Sequence, residues 1–130
     1  MKTLQILVVE DDTDLSAELA EQIGHGGYGA TTVSTLAAAR DALAVTPSNF
    51  DLILLDVGLP DGNGCTLCAD LRRNGQTMPV IILSGHTDED DVVRGLEDGA
   101  DAYMRKPFHS AELMARLKHL LPQQPALQSS

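Results

Sequence analysis

Three continuous apolar runs divide the chain, at residues 6–9, 52–55 and 80–83. Each run is four residues long. Apolar runs of this length between polar segments are typical of strands that are buried on both faces of a sheet. We extend these runs to three predicted strands and add two weaker ones. The five predicted strands cover residues 4–9, 30–33, 50–56, 79–83 and 102–104.

The segments between the strands show a helical pattern, in which apolar residues recur every three or four positions. The five predicted helices cover residues 13–23, 35–45, 65–73, 87–98 and 110–121. Asp12 or Thr13 can cap the first helix and Ser34 the second, because their side-chain oxygens can accept a hydrogen bond from the first turn. Residues 58–64 are rich in glycine and are predicted to form a loop.

Strand and helix alternate five times along the chain. This alternation predicts the α/β class: a (βα)5, doubly wound, five-stranded parallel sheet with helices on both faces. A length of 130 residues is about one domain's worth. We assign residues 1–121 to that domain. Residues 122–130 lack periodicity and are predicted to form a flexible tail or the start of an interdomain linker.

Composition and charge restrict the classes of function. Apolar residues make up 43% and charged residues 22% of the chain, which is the balance of a soluble globular protein. The formal net charge of −10 argues against binding of nucleic acid or an anionic membrane through a basic surface. The apolar runs are too short for a membrane span or a signal peptide, so we expect a cytoplasmic protein with reduced cysteines.

The acidic excess lies in residues 1–100, which carry a charge of −12, whereas residues 101–130 carry +2. Part of it falls at the carboxyl ends of the strands, where ligands bind in an open parallel sheet. The side chains predicted to converge there are Glu10, Asp11, Asp56, Ser84 and Lys106. Three packed carboxylates repel one another, and a hard cation such as Mg²⁺ relieves that repulsion. With a lysine opposite, the site suits a phosphoryl group, toward which Asp56 can act as nucleophile.

Each of these residues also has an ordinary structural explanation. An aspartate after a strand is usually a helix cap or a turn residue. A Lys-Pro pair is usually a solvated turn, and a serine before glycine is usually a loop residue. Their joint placement at four strand ends is what favours a single functional site.

Four segments carry a resemblance to a known family. They are ILVVEDD at residues 6–12, LLDVGLPDGNG at 54–64, PVIILSG at 79–85 and GADAYMRKPF at 99–108. Together they resemble the receiver domain of bacterial two-component response regulators, the CheY-like domain, from residue 4 to about residue 121. The resemblance implies the flavodoxin-like strand order 2-1-3-4-5. It also implies a phosphorelay signalling domain that is not an enzyme and catalyses only its own phosphorylation and slow autodephosphorylation.

The resemblance implies a role for each acidic residue of the site. Asp56 would accept a phosphoryl group from a histidine kinase or a histidine phosphotransfer protein. Asp11, Asp56 and the backbone carbonyl of Gly58 would hold Mg²⁺, for which Mn²⁺ could substitute. Glu10 would act on the metal mostly through a water molecule.

The resemblance also implies a switch. Lys106 would pair with the phosphoryl group, and the peptide bond between it and Pro107 is expected to be cis. Ser84 would move toward the phosphoryl oxygens, and Tyr103 would swing inward behind it. These movements would change an output face made of the fourth predicted helix, the fifth predicted strand and the fifth predicted helix. Gly58 and His86, two residues after Asp56 and Ser84 respectively, would border the path of the hydrolytic water.

Several charged residues resemble the dimer face of receivers attached to winged-helix DNA-binding domains. They are Arg94, Glu97, Asp101, Arg116 and Lys118. Ala102 stands where that subgroup often has a second aspartate. Two possibilities stay open: a single-domain protein that binds a partner, or the N-terminal part of a longer transcription regulator. The resemblance of this face and the Pro- and Gln-containing tail slightly favour the second, with a phosphorylation-dependent homodimer and no direct contact of this chain with nucleic acid.

Two other functions use similar chemistry or topology. A Mg²⁺-dependent phosphohydrolase with Asp56 as its turnover nucleophile would need a second acid near Asp56 and a cap over the substrate. Neither feature is evident in the sequence. A small flavin carrier of similar topology is disfavoured because the acidic first loop would repel the flavin phosphate.

Two short motifs are set aside. Gly24, Gly26 and Gly29 match a dinucleotide-binding fingerprint, but that motif needs a strand before it and a helix after it, which is the reverse of the order here. Cys65 and Cys68 lack a second ligand pair for zinc and are interpreted as small residues of a helix.

Overall fold

The computed structural model of the chain describes residues 3–44, 50–85, 93 and 95–121. The strands are β1 (Gln5–Val9), β2 (Gly29–Val33), β3 (Leu52–Asp56), β4 (Gly58–Leu59), β5 (Gly62–Asn63), β6 (Val80–Ser84) and β7 (Ala102–Arg105). The helices are α1 (Thr13–His25), α2 (Leu36–Leu43), α3 (Gly64–Arg73) and α4 (Ser110–Leu120), and residues 93 and 95–97 are also helical. A parallel five-stranded sheet has the order β2-β1-β3-β6-β7. Because β4 and β5 pair only with each other, β6 and β7 are the fourth and fifth strands of this sheet. The arrangement therefore confirms the predicted α/β class and the predicted strand order 2-1-3-4-5.

The three central strands have hydrophobic layers on both faces. Alternate side chains of a strand point to opposite faces, so Ile6 and Leu7 of β1 belong to different clusters. The cluster around Ile6 includes Leu19 of α1 and Leu117 of α4. The cluster around Leu7 includes Leu67 of α3. This burial on both faces explains why the central strands are continuous apolar runs in the sequence.

The start of α1 follows the capping chemistry of the sequence. Asp12 is the cap, because its Oδ1 accepts hydrogen bonds from the backbone N–H groups of Asp14 and Leu15 at 3.0 and 3.1 Å. The helix continues to His25 and so includes Gly24. The predicted end at residue 23 is therefore two residues too early, since a single glycine does not stop a helix whose other face is packed.

The prediction that Ser34 caps α2 is wrong. The cap is Thr35, whose Oγ1 accepts a hydrogen bond from the backbone N–H of Ala38 at 3.0 Å. Both residues can cap a helix, so the local sequence does not distinguish them. The choice follows from packing, because Leu36 is buried as the first residue of α2.

Residues 58–64 are more ordered than the predicted loop. Gly58 and Leu59 pair in antiparallel fashion with Asn63 and Gly62. We call this β4–β5 pair the hairpin. Leu59 is buried, and Gly62 has a φ of +147°, a conformation that favours glycine. The loop prediction is therefore wrong for these four residues, because burial of one leucine and the freedom of one glycine organise a short turn.

Some predictions concern residues outside the described part of the chain. These are His86, Arg94, the first part of the predicted helix over residues 87–98, and the predicted tail or linker at residues 122–130. Among the described residues, no helix combines the length and the apolar character that crossing a membrane requires.

Candidate functional site

The carboxyl edge of the sheet gathers the five predicted side chains of the site. Glu10 and Asp11 follow β1, Asp56 ends β3, Ser84 ends β6 and Lys106 follows β7. The register of the sheet brings these ends together. Asp56 lies opposite the residue before Ser84, and Ser84 lies opposite the residue before Lys106. Because all these strands are parallel, their ends meet at one edge.

The acidic cluster consists of Glu10, Asp11 and Asp56, each with a carboxylate oxygen within 4.8 Å of those of the other two. Glu10 is 2% exposed and Asp56 is 6% exposed, whereas Asp11 is exposed. Burial, followed by the negative charge of Glu10, raises the pKa of Asp56 from 3.8 to about 7. A divalent cation among these oxygens would relieve the repulsion, and an all-oxygen ligand set is what Mg²⁺ prefers. The cluster therefore fits a hard divalent metal.

Lys106 supplies the positive charge of the site. Its Nζ forms an ion pair with Glu10 Oε1 and lies 3.3 Å from Asp56 Oδ2. Burial lowers the pKa of Lys106, but the hydrogen bond to Glu10 and the charge of Asp56 outweigh burial, so the net pKa is raised and the ammonium stays charged. The backbone N–H of Lys106 donates to the Ser84 carbonyl at 2.8 Å. The Lys106–Pro107 peptide bond is cis, which confirms the prediction.

The backbone around Asp56 is held by close contacts on its C-terminal side. The N–H of Gly58 donates to Asp56 Oδ1 at 3.3 Å, and the N–H of Gly64 donates to the Val57 carbonyl at 2.8 Å. A Cβ at position 64 would lie 2.2 Å from the carbonyl oxygen of Asp56. Only glycine can therefore begin α3 this close to the peptide of Asp56.

The comparison with known families agrees with this geometry. The sequence model of one protein family, the response regulator receiver domain, matches residues 6–118. The chain belongs to this family. As a receiver domain it acts in phosphorelay signalling. Members of this family generally signal and are not enzymes, so membership does not favour the alternative of a phosphohydrolase.

Named relatives support the assignment. The receiver is 40% identical over 118 residues to the transcriptional regulatory protein PmrA of Pectobacterium parmentieri, covering 91% of this chain and 52% of that protein. It is 40% identical over 122 residues to the response regulator ArlR of Staphylococcus aureus, covering 93% of this chain and 54% of that protein. The chain thus spans about half the length of the curated relatives that it matches.

Solved structures of receivers have the same fold. A putative response regulator from Chloroflexus aurantiacus superposes with a TM-score of 0.85 at 29% identity, and the match covers 94% of this chain and 100% of that one. The BeF3-activated N-terminal receiver domain of Klebsiella pneumoniae RstA superposes with a TM-score of 0.82 at 33% identity, covering 92% of this chain and 99% of that one.

Two residues near the site of this receiver were not singled out from the sequence. Asp61 accepts hydrogen bonds from the start of α2, and Gly64 packs on the Asp56 peptide. Asp61 had no local signal, since its partners are 24 and 25 residues away. Gly64 was visible only as one of several glycines in a predicted loop.

The predicted charged face of the receiver is partly engaged within the chain. Asp101 Oδ2 accepts hydrogen bonds from the backbone N–H of Val80 at 2.9 Å and from Arg72 Nη2 at 3.2 Å. Arg116 Nη2 lies 4.0 Å from Oε2 of Glu112 in the preceding turn of α4. Asp101, which directly precedes β7, therefore joins that strand to α3 and β6.

The structure agrees with the interpretation of the glycine motif and of the cysteine pair as ordinary parts of the fold. Gly24 lies in α1, Gly26 caps its end and Gly29 begins β2, so these glycines follow a helix and precede a strand. Cys65 and Cys68 are buried, free cysteines of α3. Burial raises the pKa of the Cys68 thiol, which makes it a poor nucleophile.

Proposed function

We propose that Asp56 is the residue of this receiver that accepts the phosphoryl group. An Asp56 carboxylate oxygen attacks the phosphorus of a phosphohistidine on a histidine kinase or a phosphotransfer protein. The P–N bond breaks, the imidazole nitrogen keeps its electron pair and takes up a proton, and an acyl phosphate remains on Asp56. The observation that carries this assignment is the buried position of Asp56 within 3.3 Å of the Lys106 ammonium.

Asp11, Asp56 and the carbonyl of Gly58 would hold Mg²⁺, or Mn²⁺ in its place, with Glu10 acting through a water molecule. The metal, when bound, supplies charge neutralisation for the incoming phosphoryl oxygens. The fit rests on the three carboxylate oxygens within 4.8 Å. The chain's own part is to position these oxygens and to keep the Lys106 ammonium beside Asp56.

Phosphorylation adds negative charge next to Lys106 and Ser84. Lys106 contacts both Glu10 and Asp56, so a phosphoryl group on Asp56 would draw its ammonium away from Glu10. Ser84 would move toward the phosphoryl oxygens, and Tyr103, which is 39% exposed, would swing inward. The chemistry of the chain is then limited to its own phosphorylation and slow autodephosphorylation.

The output face would comprise the helical residues 93 and 95–97 together with β7 and α4. Among the residues that the structure describes, the exposed large apolar side chains are Val93, Leu96 and Tyr103. All three belong to this face. Exposed apolar side chains on one face suit a protein partner, and we propose a phosphorylation-dependent homodimer through this face, which also carries Arg116 and Lys118.

The natural protein would be a transcription regulator with a DNA-binding part outside this chain. The support is that relatives named as transcriptional regulators are matched over about half of their length, 52% for PmrA. The limits of the receiver at residues 1–121 and a tail or linker at residues 122–130 are part of this proposal. So is the cytoplasmic location that the sequence predicts.

Intact-protein mass spectrometry tests the acceptor. Incubation with Mg²⁺ and acetyl phosphate should add one labile phosphoryl group to the wild-type protein and none to Asp56→Asn. Asp51→Asn is the matched control, because Asp51 hydrogen-bonds the N–H of Gln5 away from the acidic cluster and should leave phosphorylation unchanged. A wild-type protein that binds Mg²⁺ yet gains no mass would contradict the proposal.

Lys106→Ala separates phosphorylation from switching. The variant should keep metal binding, since the three carboxylates remain, and should still accept a phosphoryl group at a reduced rate. It should lose the phosphorylation-dependent change in size that size-exclusion chromatography with light scattering measures. Dimerisation equal to that of the phosphorylated wild type would show that Lys106 does not link the site to the output face.

A further inference from the structure

Asp61 joins two parts of the receiver that the sequence places far apart. Its Oδ1 accepts a hydrogen bond from the N–H of Leu36 at 2.8 Å, and its Oδ2 accepts one from the N–H of Ala37 at 3.0 Å. These are the first two N–H groups of α2, which have no partner within the helix. They lower the pKa of Asp61, with a smaller contribution from Arg40. One carboxylate therefore attaches its own segment to the start of α2.

The segment that carries Asp61 begins at the candidate site. Asp61 lies in the turn of the hairpin, whose base is the pair Gly58 and Asn63. Gly58 directs its N–H to Asp56 Oδ1 at 3.3 Å, and its carbonyl is the proposed backbone ligand of the metal. Asn63 caps α3, because its Oδ1 accepts from the N–H of Cys65 at 2.8 Å. Movement of the hairpin tip would therefore be felt at its base.

Other contacts reinforce the attachment of the hairpin to α2. Leu59 is buried in the cluster that also contains Leu36. A Cβ at Gly62 would approach Leu36 Cδ1 to 3.1 Å, so the hairpin backbone packs closely on α2. The strand before α2 is tied to the acidic cluster, since the N–H of Glu10 donates to the Val33 carbonyl at 3.0 Å. Asp61 thus closes a ring of contacts around the acidic cluster.

We infer that Asp61 is a positioning residue for metal binding: by anchoring the hairpin to α2, it holds the Gly58 carbonyl where the acidic cluster needs it. The inference rests on the proposed role of Gly58 as a metal ligand. Asp61 acts through the hairpin backbone. Loss of a group that orients a metal ligand typically lowers metal affinity by about tenfold or more, and we take the lower end for Asp61 because it acts through the backbone.

A capping role alone would explain the two hydrogen bonds, and the chain offers a control for it. Thr35 caps the same helix, and its Oγ1 takes the N–H of Ala38 at 3.0 Å. It has no hydrogen bond to the hairpin among those found in the described residues. Thr35→Ala and Asp61→Ala therefore both weaken the start of α2, but only Asp61→Ala removes the two hydrogen bonds that join the hairpin to this helix.

The experiment measures Mg²⁺ affinity by calorimetric titration in the full chain, with thermal unfolding in parallel. Both variants should lower the thermal midpoint by a few degrees. Asp61→Ala should raise the Kd for Mg²⁺ about tenfold, whereas Thr35→Ala should stay within about twofold of the wild type. Asp61→Asn, which keeps one acceptor oxygen, should lie between. If Asp61→Ala is too unstable to titrate, Asp61→Asn carries the test.

A second readout does not depend on the metal. In the metal-free protein, the ¹⁵N order parameters of Gly58 and Leu59 should fall in Asp61→Ala and stay unchanged in Thr35→Ala. Unchanged Mg²⁺ affinity in both Asp61 variants, or equal losses in Asp61→Ala and Thr35→Ala, would overturn the inference. A wild-type protein without Mg²⁺ affinity would instead refute the proposed metal site, and with it the inference. Lower order parameters would then show only that Asp61 anchors the hairpin.

Discussion

Asp56→Asn removes one negative charge from the acidic cluster and keeps an acceptor oxygen for the N–H of Gly58. We expect this variant to be more stable than the wild type when no metal is bound. The reason is that Asp56 is buried beside Glu10, and its ionised form is unfavourable there. Asparagine has nearly the same shape but no charge, so packing around residue 56 changes little.

The raised pKa sets the size of the effect. A shift from 3.8 to about 7 amounts to roughly 4 kcal/mol, at about 1.4 kcal/mol per unit. Relaxation of the site and entry of water reduce this value, and we expect a gain of about 2 kcal/mol in the free energy of unfolding. For a chain of 130 residues, that gain corresponds to a rise of about 7 °C in the thermal midpoint.

The pH dependence has a defined sign. Below pH 3.8, Asp56 is protonated in the folded and the unfolded chain, so the variant gains nothing. Between pH 3.8 and about 7, the unfolded chain loses this proton while the folded chain retains it. The wild type therefore loses stability relative to the variant across this window, and the difference is constant at higher pH.

Urea unfolding in the presence of a chelator, at about pH 4 and about pH 8, measures the difference. Asp51→Asn is the control, because it makes the same chemical change at a carboxylate outside the cluster. Saturating Mg²⁺ should narrow the gap at high pH, since it stabilises the wild type more than the variant. A variant no more stable than the wild type at high pH, or one with the same gain at both pH values, would refute the electrostatic reasoning.

Two further predictions concern close packing and a polar link. Gly64→Ala should lower the free energy of unfolding by about 2 kcal/mol and abolish phosphorylation of Asp56, because the new Cβ would lie 2.2 Å from a backbone oxygen. Gly24→Ala is the control: a Cβ at residue 24 would have nothing within 4 Å, so chemical denaturation should show unchanged or higher stability. Arg72→Ala should also lower the free energy of unfolding by about 2 kcal/mol, since Arg72 donates to two backbone carbonyls and to one carboxylate. The side chain of Arg73 is 74% exposed, so Arg73→Ala should change the free energy of unfolding by less than about 0.5 kcal/mol. Equal effects within either pair would contradict these assignments.

The central strands and the order of elements could be predicted because their signals are local. A strand buried on both faces must be apolar throughout, so residues 52–55 and 80–83 stand out against any neighbouring sequence. The acidic residues at the strand ends follow from the same reasoning, since parallel strands end at one edge. Asp12 was recognisable as a cap because its partners are two and three residues away.

Other features required the tertiary structure. Whether Ser34 or Thr35 caps α2 depends on how Leu36 packs, because either residue can cap a helix and general preference slightly favours serine. The hairpin at residues 58–63 has no apolar periodicity and is organised by burial of Leu59. Asp101 looked like a surface charge, yet its carboxylate is held by Arg72 across 29 positions of the chain.

The amino-acid sequence by itself determined the α/β class and which residues reach the carboxyl edge, because these depend on periodicity and on strand ends. The strand order was implied only by the resemblance to receiver domains. Only the tertiary structure decided which charges pair. Lys106 contacts Glu10 across 96 positions of the chain, and Asp61 reaches Leu36 across 25. Contacts over such separations are set by the packing of whole elements against one another, and no local pattern encodes the distance between two particular side chains.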